Sequence, residues 1–191
     1  MLKLLAPYIA ILIFWLGLNS AWATILAYHV QIVFWSWHRM PALVRGWNGR
    51  LFVTTVLPCL LAGPIAYLLL PCMTQPSGLP EWLAAHGLTG MRMTLMIPYF
   101  GIVHPLLEQA HWSDLRSRGW IAHLAFAGYH AIVLVSLLTT PWLILCLGVL
   151  MAASAIWTLV GSRVHLGLLI PACGHICADS GIVVAAWLRM G

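Results

Sequence analysis

Long apolar runs separated by short segments rich in Pro, Gly or Arg set the pattern of this chain. The first run extends from about Leu4 to Trp37. At about 1.5 Å of rise per residue, roughly 20 residues cross a hydrocarbon core of ~30 Å, so this run exceeds one perpendicular helix. It predicts a tilted or kinked span, a span continuing along the interface, or a helical hairpin. Further runs cover Leu51 to Leu70, Arg92 to His111, Trp120 to Leu138, Pro141 to Val160 and Leu166 to Leu188. Between them lie Arg39 to Arg50, Pro71 to Gly90 and the charged segment Ser113 to Gly119; the EWLAAHGL piece of the second predicts a short interfacial helix. Pro58, Pro64, Pro98 and Pro105 interrupt two of the spans. The pattern predicts an all-α, polytopic transmembrane helical bundle of about six to seven spans, forming a single domain over residues 1–191.

Composition strengthens this reading. The chain is 62% hydrophobic and 7% charged, against about 25% charged in a soluble domain. So few charges cannot cover a water-facing surface, whereas lipid can face an apolar exterior. The net charge of +5 does not point to nucleic acid, because no Lys/Arg run is present. Arg39, Arg45, Arg50, Arg116, Arg118 and Arg163 instead fall on one side of the alternating spans, and the Pro71 to Gly90 loop has neither Lys nor Arg. The positive-inside rule makes the arginine side cytoplasmic, in a multi-pass protein of a bacterial inner membrane. Trp15, Trp37, Trp47, Trp82, Trp112, Trp120, Trp142 and Trp187 sit mostly near predicted span ends, as an aromatic belt. Cys59, Cys72, Cys146, Cys173 and Cys177 lie in or beside apolar runs without a CxxC pair, which suits packing. Ala21-Trp22-Ala23 has the form of a signal-peptide cleavage site, but the apolar run continues past it, which favours an uncleaved first span.

Ionisable residues inside spans are expensive and mark candidate sites. In His104-Pro105-Leu106-Leu107-Glu108-Gln109-Ala110-His111, helical spacing puts His104, Glu108 and His111 on one face. Glu108 there is a candidate general base, or else the partner of His111 or Arg116 at the membrane edge. A second place is Phe126-Ala127-Gly128-Tyr129-His130, with His123 two turns earlier. A histidine there takes part in chemistry or fixes helix packing by a hydrogen bond. The third is His175-Ile176-Cys177-Ala178-Asp179, where a His and an Asp one turn apart suit an oxyanion, a metal or a self-contained pair. Gly174 and Ala178 predict close approach of a neighbouring backbone.

Taken in order, an acid, then FxxxH, then HxxxD on separate helices resembles the CAAX-processing and bacteriocin-immunity family of glutamic-type intramembrane proteases. The resemblance covers residues 98–187. The family's first motif is EExxxR. Its first glutamate falls on Glu108, its second on Gln109 and its arginine on Ser113, so this motif is degenerate here. Arg116 and Arg118 are the available substitutes for that arginine. The other motifs match at Phe126 and His130, and at His175 and Asp179.

The resemblance implies a membrane-embedded peptidase without a cofactor. Glu108 and His130 would activate water, and His175 and Asp179 would stabilise the developing charge. The expected substrate is a membrane-anchored protein cut in its C-terminal region, within the lipid bilayer. Other classes stay open. They are a metal-dependent hydrolase using His104, Glu108 and His111, although no HExxH is present; a haem or quinone protein using His123, His130 and His175; and a non-catalytic member of the same fold.

Overall fold

The computed structural model describes residues 2–190. Helix α1 (Leu2–Ala10) runs into a π-helical segment, Ile11–Gly17. The helix stops at Asn19, whose φ of 48° belongs to the left-handed region. Ser20 then caps α2 (Ala21–Ser36), its hydroxyl accepting from the Ala23 N–H at 3.3 Å. The first apolar run is therefore two helices, and α1 packs on α2.

A 3₁₀ segment, Trp37–Val44, leads to α3 (Gly49–Cys59), capped by the Asn48 carboxamide. A tight turn at residues 60–61 separates α3 from α4 (Ala62–Met73). Next come α5 (Gly78–Ala85), which takes in Glu81 to Ala85 of the expected interfacial piece and ends before His86, and α6 (Gly90–Pro98). A π-helical segment, Tyr99–Val103, joins α6 to α7 (His104–Arg116). The last helices are α8 (Ile121–Leu134), α9 (Thr140–Arg163) and α10 (Leu169–Leu188). Helix α7 thus extends into the segment expected as a loop from Ser113, because Arg116 is drawn into the interior.

The fold is all-α, with no strand among the described residues. Loop contacts sort it into two ends. At one, Lys3 meets Asp114 at 2.8 Å, and the Leu168 and Leu169 N–H groups donate to the Ala42 and Arg45 carbonyls. At the other, the Ala21 N–H donates to the His86 carbonyl, Thr74 pairs with Leu138, and the Trp82 indole donates to Ser136.

Three helical stretches are long and apolar enough to cross a membrane: Gly49–Met73, which is α3 continued through the turn into α4, Thr140–Arg163 and Leu169–Leu188. That is fewer than the six to seven spans expected. The apolar helices Leu2–Gly17 and Ile121–Leu134 are shorter, and the Gly90–Arg116 stretch is broken by its π segment and carries a polar α7. The outer surface is apolar: Val30, Phe34, Leu68 and Ile144 are each between 65% and 72% exposed. Water disfavours such a surface and lipid accepts it, so the fold is compatible with a membrane protein. Trp112, however, is no belt residue; it is fully buried beside Phe126.

Helix α10 is the hub, packed by α3, α4, α7 and α9. Its closest approach to a neighbouring backbone is at Gly181 against Gly63 of α4, where an added Cβ would lie 2.8 Å from the Gly63 backbone. Gly174, expected in that role, faces the side chains of Cys59 and Trp157 instead. Gly181→Val forces α4 and α10 apart. We expect it to lower stability by about 1–3 kcal/mol in a reversible detergent-unfolding titration.

Candidate functional site

Helices α2, α7, α8 and α10 surround Glu108, which is 1% exposed. Burying a carboxylate is unfavourable unless hydrogen bonds replace water. Oε1 obtains two: it accepts from Tyr28 at 2.7 Å and from Tyr129. The Trp112 indole N–H donates to the Tyr28 oxygen at 2.7 Å, which commits the phenol proton to Glu108. Oε2 is different. It is buried and accepts no hydrogen bond among the described residues. Two imidazole nitrogens flank it, His104 Nε2 at 3.5 Å and His175 Nε2 at 3.8 Å.

The His175 ring is held on three sides. Trp157 stacks on it with 4.4 Å between centroids, Asp179 Oδ2 lies 3.3 Å from Nε2, and Gln109 Nε2 lies 3.2 Å from Nδ1. The Gln109 amide is oriented by Arg116, whose Nη2 donates to Gln109 Oε1 at 2.7 Å. A guanidinium only donates, so the amide oxygen faces Arg116 and the NH₂ faces His175. His175 Nδ1 must then accept, and neutral His175 carries its proton on Nε2, towards Glu108 and Asp179. The buried Arg116 also donates to Ser154 Oγ at 3.3 Å and lies over the rings of Phe126 and Trp157.

His130 approaches from α8. Its Nδ1 lies 2.8 Å from the Phe126 carbonyl oxygen, which can only accept. The proton is thus on Nδ1, leaving Nε2 as the basic nitrogen of the neutral ring. The ring stacks on Tyr129 at 4.0 Å, one residue from a direct ligand of Glu108.

The residues singled out by sequence divide accordingly. His104, Glu108, His175 and Asp179 converge directly, and His130 adjoins them through Tyr129. His111 does not join them; its Nδ1 pairs with Ser36 Oγ at 3.2 Å. Glu108 forms no ion pair with His111 or Arg116 among the described residues. No group of three His, Cys, Asp or Glu side chains among these residues is placed to hold a metal ion. His123 pairs with Ser154 Oγ at 2.8 Å, away from His130. Of the two substitute arginines, Arg116 reaches the first motif, while Arg118 is exposed and binds Asp114. Among the described residues the Ser113 hydroxyl bonds only its own helix, through the Ala110 carbonyl.

Sequence alone misses Tyr28, His29 and Tyr129. His29 had a signal, being ionisable inside an apolar run. Its Nε2 lies 2.9 Å from His104 Nδ1, and its Nδ1 lies 2.8 Å from the Tyr99 hydroxyl. The tyrosines had none, since a phenol suits a membrane span without any special partner.

Two surface pockets lie away from Glu108, one along Asn19, Ser20, Trp22, His86 and Arg92, the other along Met93, Thr94 and Trp187. Asp179 is at a partly exposed edge of the site, with 14% of its side chain exposed. No family model, curated protein or solved structure matches this chain.

Proposed function

We propose that this chain is a glutamic-type intramembrane endopeptidase. It would cut a peptide bond near the membrane face, in the C-terminal region of a membrane-anchored protein. Each of the roughly seven runs between the two ends would cross a cell membrane, arginine end inward. The observation that carries this reading is Glu108 Oε2, a buried carboxylate oxygen without a hydrogen bond, set between two imidazole nitrogens.

A water bound to Oε2 attacks the scissile carbonyl carbon. Its proton passes to Glu108, with the free Nε2 of His130 as a second acceptor. The carbonyl oxygen becomes an oxyanion and accepts from His175 Nε2–H, which Asp179 supports. The carbon–nitrogen bond then breaks as Glu108 returns the proton to the leaving nitrogen. The products are a carboxylic acid and an amine, so no further reactant is required.

A second reading is favoured by one observation. Glu108 Oε1 is locked by Tyr28 and Tyr129 as a structural carboxylate would be. It describes a non-catalytic protein of the same design.

The experiment is incubation of the purified protein, in lipid vesicles, with membrane-anchored peptides in heavy-oxygen water. The proposal expects cleavage, insensitivity to chelators, and one heavy oxygen in each new C-terminal carboxyl after a single turnover. Intact peptides would support the non-catalytic reading, and chelator-sensitive cleavage would support a metal hydrolase.

A further inference from the structure

The mechanism above leaves three buried or half-buried groups unused. Tyr99 Oη, His29 and His104 form a continuous line, with contacts of 2.8 Å and 2.9 Å, that ends 3.5 Å from Glu108 Oε2. His29 and His104 are 4% and 5% exposed, and the two ring nitrogens of His29 meet only Tyr99 and His104 among the described residues, with no carboxylate or backbone partner. One hydrogen bond between helices would satisfy packing; four groups in line across α2, α7 and the π segment do more.

The donors can be ordered. An ionised Glu108 favours a proton on His104 Nε2, so neutral His104 accepts at Nδ1. His29 then donates from Nε2 and accepts at Nδ1, and the Tyr99 hydroxyl donates to it. Every hydrogen points the same way, towards the carboxylate. Each member is a group that can give up one proton and take another, unlike the Arg116 and Gln109 side of the site.

Tyr99 is partly exposed and packs on Trp22, with 5.2 Å between ring centroids. Trp22 is one wall of the open pocket that also holds Asn19, Ser20 and Arg92, at the end remote from the Lys3–Asp114 pair. We propose that Tyr99, His29 and His104 are a proton relay joining that pocket to Oε2 of Glu108. Protonation of Glu108 shifts one proton along each link: His104 Nε2 to Oε2, His29 Nε2 to His104 Nδ1, Tyr99 to His29 Nδ1, and a hydronium ion to Tyr99, leaving water. Deprotonation reverses these steps.

This inference rests on the reading of Glu108 as the residue that takes up a proton. The groups facing its carboxylate are Tyr28 from α2, His104 from its own helix, Tyr129 and His130 from α8, and His175 from α10, with Asp179 beyond His175. Those facing His29 are Tyr28, Tyr99 and His104.

The test follows the carboxyl band of Glu108 by time-resolved infrared spectroscopy after a pH jump. The full chain is held in vesicles, and Glu108→Gln identifies the band. His29→Gln keeps a donor and an acceptor but passes protons poorly, and Tyr99→Phe removes one hydroxyl from a partly exposed side chain. We expect both to slow the band change by about tenfold or more. A purely structural role predicts wild-type rates for His29→Gln. Wild-type rates in both variants, or a Glu108 band in the wild type that does not respond to pH, overturn the relay. Peptide cleavage measured on the same samples separates the two claims: a slowed band without cleavage in the wild type removes the peptidase and leaves the relay.

Discussion

Glu108→Gln is expected to lower peptide hydrolysis by about 10³-fold while leaving the helical fold and membrane insertion unchanged. The substitution is nearly isosteric at a site that is 1% exposed, so no cavity forms. The amide oxygen still accepts from Tyr28 and Tyr129, as Oε1 does now. Only the other position changes. An NH₂ group replaces Oε2 between His104 and His175, and an amide neither takes a proton from water nor carries the negative charge that orders both rings. The non-catalytic reading predicts the opposite, because every hydrogen bond that holds the helices survives.

Arg116→Ala has the largest expected effect on stability, a loss of about 3 kcal/mol in detergent unfolding. Arg116 is 4% exposed, and its guanidinium joins Gln109 of its own helix to Ser154 of α9. Removing it strips Gln109 Oε1 of its donor, opens space between Phe126 and Trp157, and frees the amide to rotate. A rotated Gln109 no longer specifies the His175 tautomer, so activity falls further than the folded fraction does. Arg116→Lys restores the charge but not two planar donors, and it should recover only part of either loss. Ser154→Ala, which leaves the Gln109 bond in place, serves as the milder comparison.

The helical fold was legible because its signal is local. Long apolar runs and their breaks appear directly in residue order, although α4 runs on through Pro71 to Met73, where a loop is expected. The span count was less legible. Sequence hydropathy does not register that Tyr99–Val103 becomes a π segment, or that α7 buries Arg116 instead of leaving it in a loop. Pairs one helical turn apart were readable, as His104 with Glu108 and His175 with Asp179 show. His111 shows the limit of that rule, since a shared helix face is broad and Ser36 of α2 captures its ring.

What residue order hides is contact between helices. Tyr28 reaches Glu108 across 80 positions, and His29 meets His104 across 75. Nothing local marks those pairs. The degenerate first motif is the clearest case. Ser113 occupies the position of the expected arginine, yet Arg116, two turns beyond Gln109, supplies a guanidinium to the motif from the same helix.

The central claim is that Glu108 carries peptide hydrolysis, and a side-by-side assay of wild type and Glu108→Gln in the same vesicles tests it most directly. The account predicts cleavage of a membrane-anchored peptide by the wild type and none above background by the variant, with equal insertion and helix content. Equal cleavage by both proteins, or none by either, contradicts it.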